Sequence, residues 1–404
     1  MFPSTKNLLL RLLIPSCLSV ISITITAFSQ TPARTSSFVA TKPAAPIAYV
    51  YVSQSPVSPG PNQVFGFAAV ANGKLTPIVG SPFQADVGMM AVNGKFLFGS
   101  TTNELYLNAY TIEPDGALTF AAANDISQIT GGNDTNAYSS WMGLDHSGAT
   151  LYDLRDTGGS DNYYEAFVID KTTGALTMPA GFMVDAGNND TWPGAFTFSA
   201  NNKYMYGVDS GWTAYSICML DRASNGALLQ PPAGTPLISN PVDKTGYRFD
   251  PFAISADPFN HVAVAFRNEE GNMGPENGPN QLAVYTADSK GNLTTTNTYK
   301  NMPKVAVGEV SLKMAPTGKL LAAFGDKGLQ VFHFNGAKPI TPYATLVQNV
   351  SFGEGYWDNY NHLFAIGSNG KLYVFTVTPT SVAQVPESPY AIDGAQYLIV
   401  QPIL

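Results

Sequence analysis

The sequence predicts an all-β protein, a seven-bladed β-propeller of four-stranded antiparallel blades. Three observations predict it. Apolar residues alternate or cluster in runs of four to eight with no helical period, a turn tripeptide recurs along the chain, and the C-terminus carries one strand too many.

In chain order, the first element is a leader. Lys6 and Arg11 precede an apolar run from Leu12 to Phe28, and Ala27-Phe28-Ser29 offers small residues where a signal peptidase reads. Residues 1–29 are therefore expected to be a signal peptide cleaved near Ser29, which gives a secreted or periplasmic protein. Lipoprotein cleavage before Cys17 is the alternative, and it would leave the apolar stretch Leu18 to Phe28 in the mature chain. An uncleaved membrane anchor is the other alternative. Residues 30–46, rich in Thr, Ser, Ala and Pro, read as a flexible lead-in. The propeller is expected over 47–404.

The blades follow from the turns. Gly-Ala-Leu stands at Gly116-Ala117-Leu118, Gly174-Ala175-Leu176 and Gly226-Ala227-Leu228, with looser copies beginning at Gly73, Gly291 and Gly336. Each copy follows a strand such as Ala109-Tyr110-Thr111-Ile112. Further back lies an apolar strand such as Tyr49-Val50-Tyr51-Val52 or Phe96-Leu97-Phe98. A seventh, degenerate unit runs from His362 to Val385. Seven units of about fifty residues fit radial stacking, which leaves only short protected edges. Later units open with their own inner strand, for example Val310 to Met314, but the first opens at its second strand near Ala48. Tyr397-Leu398-Ile399-Val400 is expected to supply the missing inner strand and close the ring.

With strands named A to D from the axis outward, the short turns fall on one face and the long loops on the other. The B–C loops span Ser53–Asn62, Asp156–Tyr163 and Asn268–Asn280. The D–A loops span Asn124–Tyr138, Gly181–Pro193 and Pro231–Phe249. Long loops in a compact domain are usually functional, so the site is expected on that face, at the tunnel mouth.

Composition narrows the partners. Charged residues make up 12% of the 404 residues, half the usual share, against 45% hydrophobic. Cleavage at Ser29 would remove two of the 21 basic and none of the 29 acidic residues. That acidic balance disfavours nucleic acid and anionic membranes. It would also leave Cys218 alone of two cysteines, without an intrachain disulfide. Cys218 sits in an apolar strand and reads as buried and inert. A small-molecule ligand or a protein partner remains, and a monomer is expected.

The Gly-Ala-Leu turns, with inner-strand endings such as Ala256-Asp257-Pro258-Phe259-Asn260 and Ala315-Pro316-Thr317-Gly318-Lys319, resemble the lactonase family of seven-bladed propellers, which includes 6-phosphogluconolactonase and the fungal muconate cycloisomerase. The resemblance implies His, Arg and Glu at the tunnel mouth, and His-x-His before a mid-chain inner strand. The corresponding stretch here reads Thr191-Trp192-Pro193-Gly194, so those histidines are not carried over.

Candidate chemistry sits where inner strands start. Arg248 and Asp250, Glu309, and Glu354 are the charges expected to converge on the tunnel. An Arg among carboxylates can bind a substrate carboxylate and leave one Glu to activate water at a lactone carbonyl. Arg248, Glu309 and Glu354 are the catalytic candidates, set against a structural ion-pair ring. Asp250, Tyr138, Trp141, Trp192, Tyr356 and Trp357 are the ligand-binding candidates, and Trp212 and Tyr247 also lie by the long loops. Blade packing or a protein interface would use the same aromatic residues. The histidines His146, His261, His333 and His362 have no metal-ligand spacing and read as structural. No metal and no cofactor are expected. Three functions remain open: an exported propeller binding a small anionic or sugar-like ligand, a lactone hydrolase, and an interaction scaffold.

Overall fold

A computed structural model describes residues 44–54, 62–127, 138–156, 162–187, 193–210, 215–230, 235, 238–268 and 278–403. The leader, most of the lead-in, and the candidates Trp192 and Trp212 lie outside them. No helix occurs among the described residues, and the strands form seven antiparallel sheets.

The inner strands are Ala395–Pro402, Met90–Val92, Tyr138–Leu144, Pro193–Phe198, Asp250–Ala256, Val310–Met314 and Phe352–Trp357, for blades one to seven. Ring closure is as the sequence predicts. Ala395–Pro402 pairs antiparallel with Pro46–Gln54, with Val50 opposite Val400 and Val52 opposite Leu398.

One difference lies in the loop expected over Gly181–Pro193. Met183–Gly187 is a strand there, paired with Asn162–Ile169 so that Met183 stands opposite Glu165. The third blade's short D strand, Leu176–Thr177, pairs only with Val168 and Ile169, so the other end of its neighbour is open to this addition.

The core is not one mass but seven. Each pair of adjacent blades buries its own apolar cluster, as where Tyr51, Val64 and Val87 meet Leu97 and Tyr110, or where Leu321 and Phe332 meet Ala263 and Leu282. Because both faces of every blade are covered, most strand positions are apolar and charge is scarce. Each fully buried Leu, Val or Phe contributes roughly 1.5–3 kcal/mol.

The recurrent glycine is the spacer between blades. Gly116 has φ +86°, and a Cβ there would lie 2.5 Å from Tyr49 Cδ1 in the preceding blade. Gly291, with φ +82°, would meet the Tyr204 ring at 2.7 Å in the same way. Both the backbone and the space demand glycine. Buried tyrosines then tie blade to blade: Tyr51 Oη donates to Gly116 O at 2.8 Å, Tyr152 to Gly226 O at 2.8 Å and Tyr206 to Gly291 O at 3.0 Å.

The histidines belong to this framework. Asp257 Oδ1 accepts the backbone N–H groups of Phe259 and His261, while Oδ2 bonds His261 Nδ1 at 2.8 Å. Asp358 repeats the arrangement with Tyr360 and His362, at 2.6 Å to His362 Nδ1. His333 stacks on Tyr343 with ring centroids 4.1 Å apart.

Candidate functional site

The inner strands surround a cavity of about 230 Å³ on the ring axis. Six of the seven contribute: Ile399, Met90, Trp141, Phe196, Lys313 and Tyr356 come from six different blades. The lining runs through Leu144 and Phe198 to His146 in a short A–B turn. This cavity therefore reaches the short-turn side of the ring. The expected site lay at the mouth among the long loops, and much of those loops lies outside the described residues.

Its chemistry centres on Lys313. The strand Val-Ser-Leu-Lys-Met alternates, burying Val310 and Leu312 against the neighbouring blade and turning Ser311 and Lys313 to the axis. Lys313 Nζ lies 4.1 Å from the centroid of the Tyr356 ring and 5.4 Å from that of Trp141. Both contacts are cation–π geometries. Trp357, buried behind it, donates Nε1–H to Lys313 O at 3.0 Å and fixes that stretch of strand.

Glu354 enters from the seventh blade. Its Oε1 accepts the Leu398 N–H at 3.2 Å and its Oε2 accepts the Tyr356 hydroxyl at 3.4 Å. No carboxylate closes an ion pair with Lys313 among the described residues. Lys313 and Glu354 are half-buried by area, since water can enter the cavity, but protein surrounds both. Desolvation accordingly lowers the Lys313 pKa against the pull of Glu354. It raises that of Glu354 against the Lys313 charge, the Leu398 amide and the Tyr356 hydroxyl. Burial and the Glu354 charge push the Tyr356 phenol well above its ordinary value, and Tyr397 is raised by burial and by Glu354.

Of the sequence candidates, the structure brings Glu354, Tyr356 and Trp141 together with Lys313. Glu309 is exposed and pairs with Arg267, Nε to Oε1 at 3.0 Å. Arg248 is exposed, bridges Val242 through its backbone, and forms no ion pair among the described residues. Arg248, Glu309 and Glu354 share no hydrogen bond or ion pair. Asp250 is buried at the start of its strand, opposite Arg267. Trp357 packs between the sixth and seventh blades, and Tyr138 and Tyr247 are exposed.

Two groups escape the sequence reading: Lys313, and a cluster in the third blade comprising Asp153, Arg155 and Glu165, all buried. The signal for both is charge within a strand otherwise apolar, Leu312-Lys313-Met314 and Leu151-Tyr152-Asp153-Leu154-Arg155. No group of three or more potential metal ligands occurs among the described residues.

No family model matches the chain, and no curated protein does. Solved structures do. A Lactobacillus plantarum protein superposes with TM-score 0.63 at 11% identity, covering 87% of this chain and 99% of its own. The periplasmic gluconolactonase of Pseudomonas aeruginosa gives 0.61 at 12%, covering 88% and 99%. A candidate 6-phosphogluconolactonase from Bacteroides uniformis gives 0.58 at 13%, covering 87% and 99%. The likeness to lactonase-type seven-bladed propellers is thus present in the fold.

Proposed function

We propose that this chain is an exported, monomeric propeller that binds a small anionic or sugar-like ligand in its axial cavity. The observation that carries the reading is the Lys313 ammonium, held against two aromatic rings with no carboxylate in ion-pair range among the described residues. A ligand carboxylate or phosphate would complete that ammonium, and Trp141 and Tyr356 would pack against the apolar face of a sugar ring. The volume, below the usual span of ligand pockets of about 300–1,000 Å³, suits a molecule of about one ring. Export rests on the signal-like leader and on the likeness to a periplasmic protein. Titration of tryptophan fluorescence with gluconate, 6-phosphogluconate and glucose tests it. The acids should bind, and Lys313→Met should weaken them about 10- to 100-fold, the worth of a charge-assisted hydrogen bond. Equal affinity in wild type and Lys313→Met would refute the site.

Lactone hydrolysis is the second reading, favoured by the raised Glu354 pKa and by the two gluconolactonase-type structures that share the fold. Glu354 would take a proton from water as the water oxygen attacks the lactone carbonyl, and Lys313 would hold the developing oxyanion. The ring C–O bond would then break, and the leaving oxygen would recover the proton from Glu354. Arg248 with Glu309 or Glu354 is the competing assignment. Hydrolysis of sugar and aryl lactones by wild type, Glu354→Gln and Arg248→Ala separates them.

A further inference from the structure

The third blade carries a charge cluster that ligand binding in the axial cavity does not use. Asp153 and Glu165 stand directly opposite each other on adjacent strands, Thr150–Asp156 and Asn162–Ile169. Leu151 and Phe167, two residues away on those strands, pack against the second blade. The two-residue period of a strand therefore turns both carboxyls into that same interface. Both side chains are 0% exposed.

Donors are scarce there. Ser139 Oγ donates to Asp153 Oδ2 at 2.9 Å, and Asp153 Oδ1 and both oxygens of Glu165 accept no hydrogen bond. Arg155, on the same face as Asp153, donates through Nη2 to the Glu104 carbonyl at 2.6 Å and closes no ion pair with either carboxyl. Glu104 faces the cluster from the second blade, with Asp86 behind it. It accepts the Ser139 N–H at 3.3 Å and is itself raised by burial. From the outer strand Met183–Gly187, Met183 stands opposite Glu165 and Asp185 opposite Tyr163 in the backbone register.

Two ionised carboxylates at cross-strand distance, out of water and with a single hydroxyl donor that serves Asp153 alone, are not a stable arrangement. A carboxyl that keeps its proton is neutral and can donate to its neighbour. We propose that Asp153 and Glu165 are a proton-holding carboxyl pair that fastens the third blade to the second, and that loss of its protons above neutral pH loosens this junction. The pair lies at the root of two long loops, since the segment before Tyr138 and the segment after Asp156 leave from strands that contact it. Loosening is therefore expected to act on the long-loop side of the ring, away from the short-turn side that the axial cavity reaches.

The direction follows from the raised values. Burial pushes Asp153 up to about 7 and Glu165 up to about 8, with Arg155 opposing in both and the Asp153 charge adding to the rise of Glu165. Free carboxyls titrate near 4. Between those limits the folded state holds more protons than the unfolded one, so stability is full below ~4 and is lost as pH rises to ~8. Each extra proton raises the unfolding constant about tenfold per pH unit.

The test uses the full folded chain. Infrared spectra of wild type at pH 6 should show a protonated carboxyl band that disappears by pH 9 and is missing from Asp153→Asn/Glu165→Gln. Hydrogen exchange should quicken between pH 6 and pH 9, beyond its intrinsic pH dependence, in Thr150–Asp156 and Asn162–Ile169 more than in Leu320–Gly325 of the sixth blade. Absence of a carboxyl band in wild type at pH 6 would overturn the proposal even if no variant folds. So would uniform acceleration around the ring.

Discussion

Replacement of Gly116 by alanine tests the blade-spacing argument with an internal control. Two costs arise. The left-handed conformation at φ +86° is unfavourable for an L-residue by about 1–2 kcal/mol. The new Cβ would also lie 2.5 Å from Tyr49 Cδ1 and 2.7 Å from Ile78 Cδ1, inside van der Waals contact with two packed side chains. Overpacking of this kind costs about 1–3 kcal/mol. The sum, about 2–5 kcal/mol, is a large part of a usual folding stability of about 5–15 kcal/mol. Gly181 separates the costs, for it has φ +82° and nothing within 4 Å of its would-be Cβ. Gly181→Ala should therefore lose only the conformational part, about 1–2 kcal/mol. Urea unfolding followed by tryptophan fluorescence, extrapolated linearly to water, gives both numbers. If Gly116→Ala costs no more than Gly181→Ala, the recurrent glycines serve only the turn and the contact between blades is not what selects them.

Three further outcomes are expected. Tyr206→Phe removes the hydroxyl that donates to Gly291 O across a buried interface and should cost about 1–3 kcal/mol in the same assay, the penalty of a buried acceptor left unpaired. Deletion of residues 395–404 strips the inner strand from the first blade and bares Pro46–Gln54 along its length. Light scattering should then show aggregates or unfolded chain in place of the compact wild-type species. Glu354→Gln should retain gluconate binding by fluorescence while losing at least tenfold in turnover of any lactone the wild type hydrolyses, since it keeps the cavity shape and removes the carboxylate proposed as the base.

The fold was legible because its determinants are local and repeated. Gly73, Gly116 and Gly291 mark their blades in the chain, and Leu398-Ile399-Val400 reads as a strand without a neighbour whichever way the rest is arranged. Met183–Gly187 was not legible, because Met-Val-Asp-Ala-Gly has no strand signal of its own and forms one only where Asn162–Ile169 offers an open edge. The site was half legible. Glu354, Tyr356 and Trp141 could be placed on inner strands, but a shift of one residue turns a side chain from one face to the other. Glu309 shares the parity of Lys313 but lies before the paired stretch that begins at Val310, and it turns out to Arg267, while Lys313, within the ladder, reaches the axis. Where a strand starts is visible in the chain; which of its residues faces the axis depends on register with the neighbouring strand.

Scarcity of charge then serves to rank the charges that remain inside. Asp257 and Asp358 are buried, yet each is satisfied by turn amides and a histidine, and Asp145 is satisfied by Ser147 and Arg222. The propeller architecture accounts for these, since each closes an A–B turn. Lys313 and the pair Asp153–Glu165 are different, because the architecture supplies them with too few partners. A fully buried carboxylate such as Asp153 or Glu165 without its partner costs several kcal/mol when ionised, while Lys313 is half-buried and feels the Glu354 charge without closing an ion pair with it. On the two proposals made above, a ligand completes Lys313 and protons complete Asp153 and Glu165, and the two sites can be tested independently because they lie on different blades.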